Sequence, residues 1–340
     1  MKTRAAPGSQ NRTEAMNELL QKTGAVLFSG GQIDRDTALA LAGAGEALYR
    51  LADEVRRRFM GNRFDLCAII NAKSGGCTED CRFCAQSARH HTGAARYAIV
   101  DRNEALHMAK ASDRHGVERL GLVTSGRSLS ARTVEQLSGL LKALRAETGL
   151  YFCSSVGLMD ERIAGALVSS GVRRCHCNLE ACRSYFPRVC STHTWEEKVA
   201  TLQLARAHGM TLCSGGIIGM GESLAERVDL ALELRALGVK SIPVNVLTPI
   251  PGTPLGDVTP LTLDEVLTAI ALFRLINPDA VVRMCGGRQQ LGKAQYRCFS
   301  AGANGAIVGN YLTTNGNELA EDLAQIRALG FSFAREAAHA

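Results

Sequence analysis

Residues Asn71 to Gly93 read NAKSGGCTEDCRFCAQSARHHTG. Cys77, Cys81 and Cys84 fall within eight residues, with three and then two residues between them. Glycines flank the group. Soft thiolates this close on a flexible loop can converge on one metal centre. A structural zinc site takes four ligands, often as paired CxxC units, and no fourth cysteine follows here at a regular offset. On a four-iron cluster, three thiolates leave one iron with an open coordination position. The competing reading is a zinc loop of three cysteines completed by His90 or His91.

Working outward from the loop, Leu66–Asn71 is a short apolar run that reads as a strand leading into the cysteines. Before it, residues from about Asp36 to Arg58 carry a helical pattern on Leu39, Leu41, Leu48, Leu51 and Val55. Residues 1–34 read as an N-terminal extension with a poorly ordered start. After the loop a unit repeats: helix, glycine, apolar strand, polar loop. The glycine junctions are Gly116-Val117, Gly171-Val172, Gly209-Met210 and Gly238-Val239, placed where a helix C-cap needs a left-handed residue. Strands are expected at about 118–124, 150–155, 172–178, 211–217, 240–246, 280–285 and 304–309, which with the first makes eight. Thr194 with Glu197 and Thr262 with Glu265 form capping boxes at two of the intervening helices.

Strands alternating with helices imply a parallel sheet. Eight of them fit an α/β fold of the TIM-type (β/α)8 barrel kind, a single domain over 35–340 with helical additions at both ends. A doubly wound sheet is the alternative. In a barrel, active sites form at the C-terminal ends of the strands, so the cysteine loop, following the first strand, sits at the functional mouth.

Composition is that of an ordinary globular chain: 46% hydrophobic, 21% charged and a net charge of +6. The basic residues are dispersed apart from groups such as Arg56-Arg57-Arg58, so no nucleic-acid partner is implied. No apolar run is long enough to span a bilayer, and no signal peptide precedes the domain. The twelve cysteines lack the dense framework of a small secreted domain and read as reduced thiols in a cytoplasm.

Four further segments lie at strand ends. They are Cys175-His176-Cys177-Asn178-Leu179-Glu180, Gly215-Gly216-Ile217-Ile218-Gly219-Met220-Gly221-Glu222, Pro243-Val244-Asn245-Val246, and Arg283-Met284-Cys285. With the cysteine loop, including Phe83 before its last cysteine, these segments resemble the radical S-adenosylmethionine (SAM) enzymes. The string NAKSGGCTEDCRFCAQS is similar to that of biotin synthases specifically, and the resemblance runs from about Asp65 to Thr314.

The resemblance implies that Cys77, Cys81 and Cys84 hold a [4Fe-4S] cluster whose open iron binds SAM. It implies that Gly215, Ile217 and Glu222 belong to the motif beside the adenine, and that Glu180 binds the ribose. It places Asn178 between substrate and SAM, and Asn245 at the ureido group of dethiobiotin. His176 stands where the family commonly has another substrate-binding asparagine. Cys153 and Cys213 match ligands of a second, auxiliary cluster, and Arg283 matches its arginine ligand.

The chain departs from the commoner two-iron auxiliary cluster on its second strand, where Gly121 occupies the position of a cysteine. Cys285 is two residues from Arg283 and shares its strand face by period-two alternation, which makes it the expected third thiolate. Cys177 is the fourth, ahead of Cys175. A four-iron auxiliary cluster is therefore expected. Cys67, Cys182, Cys190 and Cys298 read as ordinary small buried or loop residues.

The activity implied is radical SAM-dependent insertion of sulfur into dethiobiotin to form biotin. An electron from a flavodoxin- or ferredoxin-type donor cleaves SAM, and a homodimer is the family's usual state. The alternatives are another radical SAM reaction of maturase or mutase type, and a non-catalytic zinc-binding protein.

Overall fold

The computed structural model describes residues 7–314 and 316–334. Its parallel strands are β1 (Arg63–Lys73), β2 (Arg119–Thr124), β3 (Tyr151–Ser155), β4 (Arg174–His176), β5 (Thr211–Cys213), β6 (Gly216–Ile218), β7 (Ser241–Val246), β8 (Val281–Met284) and β9 (Gly305–Ile307). The order β5-β4-β3-β2-β1-β9-β8-β7-β6 runs from one half of a single strand to its other half. Because β5 and β6 are joined through Ser214 and Gly215, the eight strand positions close into a ring. A two-residue strand, β10 (Ser332–Phe333), pairs with the start of β1.

The fifth position was expected to be continuous over 211–217, and it is broken. Facing the break on β7 is Pro243, which has no N–H to donate to a ladder. Its carbonyl oxygen would lie 1.8 Å from a Cβ at Gly215. Only glycine permits that approach. β5 therefore pairs with β4 and β6 with β7, and Ser214 N–H reaches Ser241 O across the gap at 3.0 Å.

All four junction glycines adopt positive φ, between 65° and 93°. The two expected capping boxes are present, with a third at Ser223 and Glu226. The single helix expected from Asp36 to Arg58 is two, Arg35–Leu41 and Glu46–Met60, parted by a 3-10 turn and by Gly45 at φ 53°. Within the expected extension, Pro7–Phe28 is a helix. Its Leu20 and Leu27 are buried in the same apolar cluster as Leu48, Leu51 and Val55. Residues 1–6 of that expectation lie outside the described residues.

Strand parity divides the barrel into two faces. On β1, Leu66, Ala68 and Ile70 join the outer apolar core while Cys67 and Ile69 face the interior cavity. On β2, Leu120 and Leu122 pack outward while Arg119, Gly121 and Val123 face in. The barrel floor is an ion-pair triad. Asp65 accepts one hydrogen bond from Arg283 and another from Arg119 through its second oxygen.

Burial opposes ionisation of Asp65, but the two guanidiniums outweigh it and hold the carboxyl below its usual range. A depressed carboxyl stabilises the fold above its unfolded value, about 3.9, and that contribution is lost as pH falls through the lower folded value. Asp65→Asn leaves the buried Arg283 without its counter-charge and Arg119 with only Glu118 at 3.6 Å. It is expected to destabilise the cluster-free chain by roughly 3–5 kcal/mol, read as a lowered urea midpoint at neutral pH. An unchanged midpoint would show the triad to be inert.

Candidate active site

The cysteine loop is fixed by backbone and by one buried glutamine. Cys77 N–H donates to Gln86 O at 3.0 Å, and Ala88 N–H returns to Cys77 O at 2.7 Å. The Gln86 side chain accepts from Gly75 N–H at 3.0 Å and from Ser74 Oγ at 3.2 Å. Cys77, Cys81 and Cys84 are half-buried, and all three line a cavity of about 410 Å³ that continues down the barrel. Phe83 lines it beside them. Burial pushes the Cys84 thiol up to about 11. His90, one of the two zinc ligands considered above, is engaged with the Cys84 carbonyl at 2.9 Å, and His91 is exposed.

Across the mouth, Asn178 and Glu180 line the same cavity. Glu180 has φ 68° and is the sole non-glycine residue with positive φ among the described residues. Such strain persists only where surroundings over-determine it, and it clusters at functional sites. Here Glu180 N–H donates to Gly215 O at 3.1 Å and its carbonyl accepts from Ile217 N–H at 2.9 Å. Asn178 Oδ1 accepts from Gly215 N–H at 3.1 Å, and its amide lies 3.4 Å from Glu180 Oε2. Gly215 thus works through its backbone, and Ile217 is the residue of its motif that reaches the cavity.

Glu222 differs from expectation. Its carboxylate is buried and already occupied: Gly219 and Met220 N–H donate to it at 2.7 Å each, and Arg227 Nε at 2.6 Å. It shapes the loop and does not line the cavity, so the reading of Glu222 as a direct cofactor contact is corrected. Asn245 does line it, held by Gly286 N–H at 2.9 Å and by its own donation to Gly216 O at 3.2 Å.

Deeper in, Cys153, Cys213, Cys285 and Arg283 share the cavity with Cys67. Cys67 was passed over in the sequence because parity along β1 is decided only once its register is known. It sits two residue pairs below the level of Gly121, in register with Arg119, while Gly121 pairs with Cys153. Burial raises the Cys67, Cys153 and Cys285 thiols. It also opposes ionisation of Cys213, but His176, Arg283 and Arg174 outweigh it and bring that thiol down to about 6.

His176 lines the cavity, with its Nδ1 3.4 Å from Cys213 Sγ. Arg283 donates to Asp65, to Ser241 Oγ at 2.9 Å and weakly toward Cys213 Sγ at 3.7 Å. Its Nε is buried without a partner. Cys175 is corrected: Arg174 and His176 on either side of it face the cavity, which turns Cys175 into the outer apolar core. Cys177 lines the cavity nearer the mouth, beside Lys198 and Glu180. Burial works against the charge of Lys198, yet Cys177, Glu180, Cys81 and Cys190 around it raise its pKa.

The donor set suits iron–sulfur clusters. Among the described residues, neither the three loop thiols nor the four interior ones close to within 4.8 Å as a group. A single ion draws its ligands tightly together, whereas a polynuclear cluster spaces its thiolates more widely. The unpartnered Arg283 Nε, buried beside four thiols, is left for an anionic ligand.

Comparison with known proteins matches residues 72–234 to the radical SAM superfamily and residues 243–332 to the biotin and thiamin synthesis associated domain. The chain is 49% identical over 311 residues to the biotin synthase of Desulfotalea psychrophila, covering 90% of this chain and 93% of that one. It is 47% identical to the biotin synthase of Acetivibrio thermocellus, covering 89% and 96%. Among solved structures, methylornithine synthase superposes with a TM-score of 0.80 at 20% identity, over 93% of this chain and 98% of the other. The FeFe-hydrogenase maturase of Carboxydothermus hydrogenoformans does so at 0.77 and 16%, over 95% and 80%. At these identities the structural likeness is one of fold.

Proposed function

This chain belongs to the biotin synthase family of radical SAM enzymes, and from that premise we propose how its residues divide the work of inserting sulfur into dethiobiotin. One observation carries the assignment: three loop thiols and four interior thiols open onto a single cavity, with Asn178, Glu180 and Asn245 between them. When bound, the four-iron cluster and SAM supply a one-electron reduction and a hydrogen-abstracting radical, and a second cluster supplies sulfide.

Cys77, Cys81 and Cys84 are the ligands of the radical-generating [4Fe-4S] cluster. Asn178 and Glu180 hold SAM, the carboxylate accepting hydrogen bonds from ribose hydroxyls. Ile217 packs against the adenine, and Phe83 shields the cluster from water. Gly215 and Glu222 act through the loop they shape. The barrel walls keep the reacting carbons out of solvent, which limits side reactions.

For the auxiliary cluster we propose four irons held by Cys67, Cys153, Cys213 and Cys285, with Arg283 directed at it through its free Nε. Cys67 on β1 replaces the thiolate that Gly121 removes from β2. It displaces Cys177 from the ligand set because Cys177 faces the SAM side of the cavity. His176 positions Cys213 rather than substrate. A flavodoxin- or ferredoxin-type electron donor, a homodimer and a cytoplasmic setting complete the proposal. No helix among the described residues is long and apolar enough to cross a membrane.

The test is anaerobic reconstitution with iron and sulfide, followed by SAM, dithionite and dethiobiotin. Biotin is the expected product. Deoxyadenosine formation without biotin, at full auxiliary-cluster content, would point to a different substrate.

Asn245 sits where a cyclic urea can pair with an amide, so Asn245→Ala is expected to weaken dethiobiotin binding more than SAM binding. A lost buried hydrogen bond costs roughly 1–3 kcal/mol, about tenfold or more in affinity. Separate titrations of the two ligands check this. Weakened SAM binding with unchanged dethiobiotin binding would reassign the residue.

A further inference from the structure

Cys190 and His193 have no part in the chemistry above, yet they lie against Cys81. One donor atom from each of Cys81, Cys190 and His193 falls within 4.8 Å of the other two, and no other such group occurs among the described residues. Cys190 Sγ is 3.2 Å from His193 Nδ1. Cys190 and His193 are buried and Cys81 is half-buried. A tetrahedral ion about 2.3 Å from sulfur and about 2.0–2.1 Å from nitrogen spaces its donors at roughly 3.5 Å. The three side chains need only small adjustments to reach that spacing.

The segment that carries them is pre-set. Asp80, next to Cys81, accepts from Ser191 N–H at 2.9 Å and from Thr192 N–H at 3.2 Å. Arg127 ties Glu79 to Glu197 and to the Thr192 carbonyl. Glu79 Oε2 lies 2.5 Å from His193 Nδ1; an ion on that nitrogen displaces this hydrogen bond and leaves the carboxylate adjacent, where it can move out to serve as fourth ligand.

We propose that the cluster-free chain holds one thiophilic divalent metal ion, of the zinc or cobalt class, on Cys81, Cys190 and His193. Two soft thiolates and an imidazole suit such an ion. Binding displaces the thiol protons and requires a ring nitrogen with a free lone pair. Cys81 cannot serve both centres, so this ion and the four-iron cluster exclude one another. An occupied site therefore delays cluster assembly until the ion leaves. The inference shares only Cys81 with the sulfur-insertion reading: its failure leaves cluster assembly untouched, and failure of that reading leaves this site in place.

The experiment is a Co²⁺ titration of the full-length, iron-free, reduced chain. Thiolate-to-cobalt charge-transfer bands with tetrahedral d–d bands are expected at one equivalent. The bands should persist in a Cys77→Ser/Cys84→Ser variant and in a Cys153→Ser/Cys213→Ser variant. Cys190→Ser and His193→Ala should each weaken binding at least as much as loss of an outer-shell partner does, about 10–100-fold.

Zinc X-ray absorption on the unsubstituted chain guards against misfolded variants, and two sulfurs with nitrogen or oxygen are expected. One equivalent of Zn²⁺ added before reconstitution should slow iron uptake in the unsubstituted chain and not in Cys190→Ser. Bands that survive Cys190→Ser but vanish in Cys77→Ser/Cys84→Ser overturn the proposal in favour of the loop alone. So does an all-sulfur zinc shell.

Discussion

A chain in which Cys77, Cys81 or Cys84 is alanine forms no deoxyadenosine from SAM. Among the described residues these are the three loop thiols that line the cavity, and in the proposed cluster each would hold one iron, leaving the fourth open to SAM. Loss of one ligand leaves two protein ligands, too few to retain the cubane. Cys190 lies within reach of Cys81, but it does not line the cavity and cannot replace Cys77 or Cys84 there. The effect is complete loss rather than a change in rate, because the radical depends on electron transfer through the cluster. Deoxyadenosine produced by any of the three variants at the unsubstituted rate would refute the assignment.

The second large effect separates radical formation from sulfur insertion. Cys153→Ala/Cys213→Ala is expected to lose about four irons per chain, to keep SAM cleavage and to make no biotin. Cys67→Ala is the sharper test of the ligand set. The thiol lies with Arg283 and Cys213 on the cavity floor, so its removal should lower auxiliary iron while Cys177→Ala leaves it unchanged. If Cys177→Ala removes the iron and Cys67→Ala does not, the ligand set proposed here is wrong. Loss of only two irons in the double variant would mean a two-iron cluster. No loss at all would remove the sulfur source and the function with it.

Local sequence disclosed what covalent spacing decides. Cys77, Cys81 and Cys84 are neighbours along the chain, and their loop follows a strand wherever the barrel places it. The glycine junctions and capping boxes were legible because each is a few residues long and has one conformational reason. Asn178, Glu180 and Asn245 were singled out by the family resemblance, and the structure brings all three to one cavity, as a barrel does with its strand ends.

The remainder depended on register and on long-range encounters. Cys67 becomes an interior thiol only when β1 is set against β2 with Cys67 opposite Arg119. Cys175 leaves the site by the same parity, since Arg174 and His176 take the inward positions. Glu222 resembled a ligand contact, but two backbone amides and Arg227 claim its carboxylate first. The break after Cys213 follows from Pro243 on a different strand. Cys190 and His193 meet Cys81 across more than a hundred residues of chain, and no spacing rule reaches that far.

In the proposed function one barrel holds two clusters, a radical source at the mouth and a four-iron sulfur source below it. Mössbauer spectroscopy of the chain reconstituted anaerobically with ⁵⁷Fe, with total iron measured on the same sample, tests it most directly. About eight irons per chain are expected, all in signals of four-iron type. A chain that binds about four irons, or about six with a two-iron component, contradicts the proposal.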